Sequence, residues 1–121
     1  MNTILVVDDS LITQRTLSFT LQKFGYKVLE ALNGLAALEL LEKKPVSLVI
    51  ADLAMPKMNG LELLKKIRHD RRFQELPVIM LTASGQDEDR IAARQAGADG
   101  FLTKPHSTTE LIEAIKTVLQ A

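Results

Sequence analysis

Cysteine and tryptophan are both absent from this sequence of 121 residues. Without cysteine, the chain can form neither disulfide bonds nor cysteine metal sites, and it has no thiol nucleophile. Apolar residues make up 46% and charged residues 25% of the chain, which is typical of a soluble globular domain. The length suits one domain with its own core, and we expect residues 1–121 to form a single domain.

The sequence also lacks an excess of charge of either sign. Lysine and arginine number 15, as do aspartate and glutamate, so nucleic acid and anionic membranes are not expected as direct partners. No apolar stretch approaches the ~20 residues that span a bilayer. The N-terminal segment lacks the basic region and the cleavage site of a signal peptide. These absences favour a cytoplasmic location.

Short apolar segments alternate with longer segments in which apolar residues recur at helical spacing. The predicted strands are residues 3–8, 26–31, 47–52, 77–82 and 100–102. The predicted helices are residues 11–24, 35–43, 61–68, 88–96 and 108–119. Continuously apolar strands are typical of a parallel sheet covered on both faces. Five successive β-α units predict an α/β fold with a doubly wound parallel sheet, whose ligands bind beyond the carboxyl ends of the strands.

Charged residues are concentrated at these predicted strand ends. Asp8 and Asp9 follow the first strand, Asp52 ends the third, and Lys104 follows the fifth. Each has an ordinary explanation when taken alone, as a helix N-terminal acid, a turn residue or a solvated lysine. Together they would place three repelling carboxylates at one sheet edge. Lys104 compensates for part of that charge, and hard oxygen ligands favour Mg²⁺ for the rest.

The loop after Asp52 has a constrained backbone. Residues 55–56 are Met-Pro, which disfavours helix, and residues 59–60 are Asn-Gly, a turn dipeptide before the third helix. A loop of defined shape could turn the carbonyl of Ala54 towards a metal ion. The Lys104-Pro105 bond is a candidate for a cis peptide, and the sequence alone leaves both isomers open.

Taken together, these motifs resemble the receiver domain of response regulators in two-component signalling, of the chemotaxis type, over essentially the whole chain. The matching residues are Asp8-Asp9, Asp52, Met55-Pro56, Asn59-Gly60, Thr82-Ala83, Gly97-Ala98-Asp99 and Lys104-Pro105. The resemblance implies a flavodoxin-like sheet with strand order 2-1-3-4-5 and five flanking helices.

The resemblance also implies a role for each site residue. Asp52 is expected to accept the phosphoryl group, Thr82 to donate a hydrogen bond to it, and Lys104 to form an ion pair with it. Thr82 and Phe101 are expected to act as the switch, which alters the surface of the fourth helix, fifth strand and fifth helix. The implied ligands of Mg²⁺ are Asp9, Asp52, the carbonyl of Ala54 and, through water, Asp8.

The implied partners are a histidine kinase or histidine phosphotransfer protein, and a downstream protein that the sequence does not identify. We expect a monomer or weak dimer that assists its own phosphorylation and dephosphorylation, rather than an enzyme with a separate substrate. Whether the chain acts alone or as a fragment of a larger regulator stays open at this point.

The first predicted helix has two apolar faces. One face is predicted to pack in the core, and it comprises Thr13, Leu17, Thr20, Leu21 and Phe24. The opposite face comprises Leu11, Ile12, Thr16 and Phe19. We expect Leu11 and Ile12, with Pro105, to dock the phosphodonor, and Phe19 to support self-association. Partial cover of this face by the last helix is the alternative.

Two other classes of protein are compatible with parts of the pattern. A phosphatase with an aspartyl-phosphate intermediate usually carries Asp-x-Asp after its first strand, whereas Asp8 and Asp9 are adjacent. A flavodoxin-like carrier needs a loop rich in serine, threonine and glycine there, and the two aspartates would repel the phosphate of FMN.

Overall fold

The computed structural model describes residues 2–83 and 86–120, and within these ranges five strands alternate with five helices. The strands are β1 (Thr3–Val7), β2 (Lys27–Ala31), β3 (Leu48–Asp52), β4 (Val78–Thr82) and β5 (Gly100–Thr103). The helices are α1 (Leu11–Lys23), α2 (Gly34–Lys43), α3 (Gly60–His69), α4 (Asp87–Gln95) and α5 (Thr108–Gln120). Every predicted strand and helix is confirmed with its ends within one residue. The single-turn 3-10 helix Arg71–Phe73 was not predicted.

The strands form one parallel sheet in the order β2-β1-β3-β4-β5. This confirms the fold class and the strand order that the resemblance implies. The chain moves outward from β1 to β2 and then returns past β1 to β3, so the direction of winding reverses between β1 and β3. Ligands bind at such a reversal in open α/β sheets, and here it lies between the strands that carry Asp8 and Asp52.

The sheet is covered on both faces by helices. Helices α1 and α5 cover one face, where their aliphatic side chains pack with Ile4, Ile50 and Leu81 of the strands. Helices α2, α3 and α4 cover the other face, where they pack with Leu5, Val49 and Met80. Successive strand residues point to opposite faces, which explains why β1, β3 and β4 read as continuously apolar. None of the helices in the described ranges has the length and apolar character needed to cross a bilayer.

The buried face of α1 differs from the prediction. Leu17 and Leu21 are buried as expected, but Phe24 is 53% exposed, so its assignment to the core is wrong. The helix ends at Lys23, and Phe24 is its C-cap residue, so the helical spacing does not extend to this side chain. Two polar residues of α1, Gln14 and Ser18, are buried instead.

Candidate functional site

Strand register brings the predicted site residues to one edge of the sheet. The residues that precede Asp8 and Asp52 are paired across β1 and β3. Asp8, which directly follows β1, therefore lies at a similar height to Asp52, which ends β3. The last residues of β4 and β5 are paired as well, and Thr82 and Lys104 therefore reach the same edge. Thr82 is buried.

The three predicted carboxylates form a cluster. Asp8, Asp9 and Asp52 each offer an oxygen, and these oxygens lie within 4.8 Å of one another. Asp8 is only 1% and Asp52 only 9% exposed, whereas Asp9 lies on the surface. The cluster is therefore buried on the sheet side and open to solvent on the side of Asp9. A compact set of carboxylate oxygens that is exposed on one side fits the preference of Mg²⁺ for oxygen ligands and retained waters.

Lys104 bridges the two buried carboxylates. Its Nζ donates to Asp8 Oδ2 at 3.3 Å and to Asp52 Oδ2 at 3.2 Å. The backbone of Lys104 is held by a hydrogen bond, in which Lys104 N donates to the carbonyl of Thr82 at 2.6 Å. The Lys104-Pro105 bond is cis. One ammonium group thus partly neutralises two aspartates that come from different strands.

The loop after β3 folds back beneath Asp52. Asp52 Oδ1 accepts a hydrogen bond from Ala54 N at 3.2 Å, and the Leu53 carbonyl accepts one from Gly60 N at 2.9 Å. A side chain at Gly60 would collide with the backbone oxygen of Asp52. Lys57 has a positive φ of 68° within the same turn. This region is therefore tightly packed, and it holds both the Asp52 carboxylate and the backbone of Ala54.

The loop ends at a well-capped helix. Asn59 caps α3 through its side chain, which accepts from Glu62 N at 2.9 Å. The Glu62 carboxylate accepts from Asn59 N in return, at 3.0 Å. This reciprocal capping box fixes where the helix begins, and with it the end of the loop that follows Asp52.

Burial dominates the electrostatics of Asp52. Loss of solvent raises the pKa of this carboxyl group, and the neighbouring Asp8 raises it further. The Lys104 ammonium and the Ala54 N–H act in the opposite direction, but together they do not offset the burial. The carboxylate of Asp52 is thus held in a site that disfavours its negative charge, and a cation beside it would be stabilising.

Phe101 lies away from this cluster on β5. It is half-buried against the core beneath α2, α3 and α4, and it pairs with Met80 of β4. The guanidinium of Arg90, from α4, lies 5.6 Å from the centre of the Phe101 ring. The Phe101 ring therefore lies between the core and Arg90 of α4.

Two of the three residues predicted to dock a partner, Ile12 and Pro105, line one groove, and Leu11 is not part of its lining. Ile12 is 81% exposed and Leu11 is 52% exposed, so the last helix does not bury either side chain. Ile12, Lys104 and Pro105 line a groove of about 350 Å³ between α1 and the start of α5. The groove thus combines apolar side chains with the lysine of the carboxylate cluster.

Sequence reasoning missed one buried polar residue beside the site. Gln14 is 2% exposed, and its side-chain amide donates to the carbonyls of Val6 in β1 and of Ala31 at the end of β2. The spacing alone indicates its burial, because Gln14, Leu17 and Leu21 occupy the i, i+3 and i+7 positions of one helix face. An assignment based on apolar residues does not include it, because glutamine is polar.

Comparisons with known proteins agree with this arrangement. The family described as response regulator receiver domain matches residues 4–116. The chain is 42% identical to chemotaxis protein CheY1 of Helicobacter pylori over 118 residues, which cover 96% of this chain and 95% of that protein. It is 43% identical to the transcriptional regulatory protein CpxR homolog of Haemophilus influenzae over 120 residues, covering 99% of this chain but 51% of that protein.

Solved structures give the same result. The crystallised chemotaxis protein CheY4 of Vibrio cholerae superimposes with a TM-score of 0.94 at 34% identity, covering 98% of this chain and 99% of that one. Of the three classes considered from the sequence, these similarities match the receiver domain.

Proposed function

Because the chain belongs to the response regulator receiver domain family of two-component signalling, we propose that Asp52 is its phosphoacceptor. The donor is a phosphohistidine on a histidine kinase or a histidine phosphotransfer protein. An oxygen of Asp52 forms the new bond to phosphorus as the phosphorus–nitrogen bond of the donor breaks. The electron pair of the broken bond stays on the imidazole nitrogen of the donor. Aspartate carboxylates are established covalent phosphoacceptors.

Lys104 and Thr82 have separate roles in this proposal. Lys104 already lies within hydrogen-bonding distance of Asp52, and it forms an ion pair with the incoming phosphoryl group. Thr82, at the end of the neighbouring strand, donates a hydrogen bond to that group. Phosphoryl transfer requires mainly positioning and neutralisation of charge. The chain therefore assists its own phosphorylation, and later the loss of the phosphoryl group, without acting on a separate substrate.

The carboxylate cluster fits a magnesium ion. Asp9, Asp52 and the carbonyl of Ala54 are the proposed direct ligands, and Asp8 contributes through water. The buried side chain of Asp8 supports this indirect role, because it is already engaged by Lys104 and by Ser10 N. Mg²⁺ bound there would stabilise negative charge on the phosphoryl oxygens.

The observation that carries the proposal is the Lys104 ammonium shared between the buried Asp8 and Asp52 carboxylates. The test is intact-protein mass spectrometry after incubation with acetyl phosphate, with Mg²⁺ or with excess EDTA. We expect one added phosphoryl group with Mg²⁺ and none with EDTA. Asp52→Ala should stay unmodified, while Asp70→Ala, a matched change at the C-terminal end of α3, should be labelled normally. Equal labelling of Asp52→Ala and the wild type would overturn the assignment.

The groove beside Lys104 is the proposed docking site for the phosphodonor. Ile12 on α1 and Pro105 after β5 line this groove together with Lys104. The exposed Leu11 precedes Ile12 on the same helix and extends the proposed apolar surface. Phe19, farther along α1, is 65% exposed and is the proposed contact for weak self-association of an otherwise monomeric chain. A cytoplasmic location suits a chain that meets a histidine kinase or phosphotransfer protein.

The output surface is the one formed by α4, β5 and α5. Phosphorylation draws Thr82 towards the phosphoryl group, and Phe101 follows by becoming more buried. The downstream target is a protein that reads this surface. Relatives include both chemotaxis proteins and transcriptional regulatory proteins. The balanced charge of the chain favours a protein target over direct contact with nucleic acid.

A further inference from the structure

The buried amide of Gln14 links α1 to the end of the strand pair that leads into the site. Gln14 Nε2 donates to the carbonyl of Ala31 at 2.7 Å and approaches that of Val6 at 3.4 Å. Ala31 is the last residue of β2, and it lies opposite Val7 of β1. The amide therefore contacts both strands at their carboxyl ends.

The same carbonyl also holds the first carboxylate residue of the cluster. The Ala31 carbonyl accepts a hydrogen bond from Asp8 N at 3.1 Å, in addition to that from Gln14. Asp8 is the residue whose side chain accepts from Lys104, and Asp9 follows it directly. Only one carbonyl separates the Gln14 amide from the backbone that carries both aspartates.

From this arrangement we infer that Gln14 is a positioning residue for the Asp8-Asp9 end of the metal site. Within the described part of the chain, β2 has a neighbouring strand only on the β1 side, so its end is held less firmly than that of an internal strand. Gln14 fixes this end by donating to it from the helix. The inference rests on the proposed function, since it concerns the residues that would hold Mg²⁺.

In metalloproteins, groups that orient the metal ligands without touching the metal contribute to metal affinity. Removal of such outer partners typically weakens metal affinity about 10- to 100-fold. A purely structural hydrogen bond would lower the stability of the fold and leave the affinity for the metal unchanged. The two roles therefore predict different results for the same substitution.

The same helix offers a matched control. Ser18, one turn farther along α1, donates from Oγ to Glu30 Oε2 of β2 at 2.6 Å. It is buried and polar like Gln14, and it joins the same helix to the same strand. It does not contact the carbonyl that holds Asp8, so Ser18→Ala should affect the helix–strand contact without disturbing the metal site.

The experiment is calorimetric titration of the unphosphorylated protein with Mg²⁺. We expect Gln14→Met, which keeps the length of the side chain but removes its donor, to raise the Kd for Mg²⁺ about tenfold or more. Ser18→Ala should keep the Kd of the wild type. Phosphorylation of Gln14→Met by acetyl phosphate should be slow at low Mg²⁺ and recover as Mg²⁺ is raised. If Gln14→Met does not fold, Gln14→Asn retains the amide on a shorter side chain and should show the same loss.

Two results would contradict the inference and can be told apart. A wild-type protein that binds Mg²⁺, with variants at position 14 that bind it equally well, would limit Gln14 to a structural role. A wild-type protein without detectable affinity for Mg²⁺ would overturn the proposed metal site and this inference with it.

Discussion

Lys104 Nζ lies 3.2 Å from Asp52 Oδ2, which joins the loop after β5 to the last residue of β3. The side chain of Asp52 is 12% exposed and that of Lys104 is 25% exposed. Desolvation of a buried carboxylate can exceed the attraction of its ion pair. That is the case here, because the net effect of the surroundings is to raise the pKa of Asp52.

The raised pKa of Asp52 predicts a stabilising substitution. In the absence of Mg²⁺, Asp52→Asn should increase the free energy of unfolding at pH 7, because the neutral amide avoids the desolvation of a charge while Lys104 keeps its ion pair with Asp8. A carboxyl group whose pKa is higher in the folded state stabilises the fold only when protonated, and this contribution is lost as pH rises through the folded-state pKa. The higher free energy of unfolding of Asp52→Asn should therefore disappear when the pH falls below the pKa of an ordinary aspartate, about 3.9. Urea denaturation of both proteins between pH 3 and pH 8, in roughly unit steps, measures this difference in the free energy of unfolding.

A control of opposite sign is available at Asp70. Arg72 lowers the pKa of this exposed carboxyl group to about 2, so its charged form is favoured in the folded protein. Asp70→Asn should not gain stability at pH 7, and any small loss should fade as pH falls from about 4 towards that value. A gain in Asp70→Asn equal to that in Asp52→Asn would show that general charge removal, and not burial of Asp52, is the cause.

Replacement by alanine should have different effects on labelling at Gly60 and at Gly25. At Gly60 a Cβ would collide with the backbone of Asp52 and with the side chain of Met80, so the loop or the strand must move. We expect a loss of about 1–3 kcal/mol together with slower labelling by acetyl phosphate. At Gly25 the added Cβ meets open space but φ is +90°, so Gly25→Ala should cost about 1–2 kcal/mol and leave labelling unchanged. Equal labelling rates would show that the packing at Gly60 does not control Asp52.

The sheet and the site edge were predictable because they depend on local patterns. Buried strands appear as apolar runs, and the residue after each run lies at the carboxyl edge of the sheet. Asp8, Asp52 and Lys104 could thus be placed together without knowledge of the strand order. That order came from the resemblance, since periodicity does not specify which strands are neighbours.

Long-range hydrogen bonds could not be predicted in this way. Arg68 at the end of α3 donates to the carbonyls of Phe73, Leu76 and Gly97 and to the carboxylate of Asp99. The sequence does not indicate these bonds, because the carbonyls that receive them belong to backbone of no distinctive sequence. Gln14 is similar, since its partners are strand carbonyls whose identity depends on tertiary packing.

The exposed groove predicts a substitution that separates two phosphodonors. Ile12→Asp should slow phosphotransfer from the protein donor by about tenfold or more, because a contact buried in an interface is lost. It should leave labelling by acetyl phosphate unchanged, since Ile12 is 81% exposed and is not part of the cluster of Asp8, Asp9 and Asp52. Ile91 of α4 is 55% exposed, and Ile91→Asp is the matched control that should affect neither donor. Quench-flow assays measure the rates of phosphorylation by the protein donor and by acetyl phosphate. Equal slowing of Ile12→Asp with the two donors would indicate damage to the site or the fold.

We expect phosphorylation to couple Thr82 to Phe101. A hydrogen bond from the Thr82 hydroxyl to a charged phosphoryl oxygen contributes roughly 1.5–3 kcal/mol. A movement of Phe101 to a more buried position would weaken its contact with Arg90, whose guanidinium lies 5.6 Å from the ring. A cation–π contact at a partly exposed site contributes only about 0.5–1 kcal/mol. The hydrogen bond is therefore the stronger of the two interactions, and the equilibrium should favour the inward ring after phosphorylation.

The measurement is NMR of the Phe101 ring before and after addition of beryllium fluoride with Mg²⁺, which together imitate the phosphoryl group. The wild type should show large shifts of the ring protons and loss of the contact with Arg90. Thr82→Ala should still accept phosphate at Asp52 but show little change at Phe101, whereas Thr82→Ser, which keeps the hydroxyl, should restore the response. The alternative is that Phe101 is a fixed part of the core. Under that alternative the shifts stay confined to the surroundings of Asp52 in all three proteins, and the α4-β5-α5 surface does not respond through this ring.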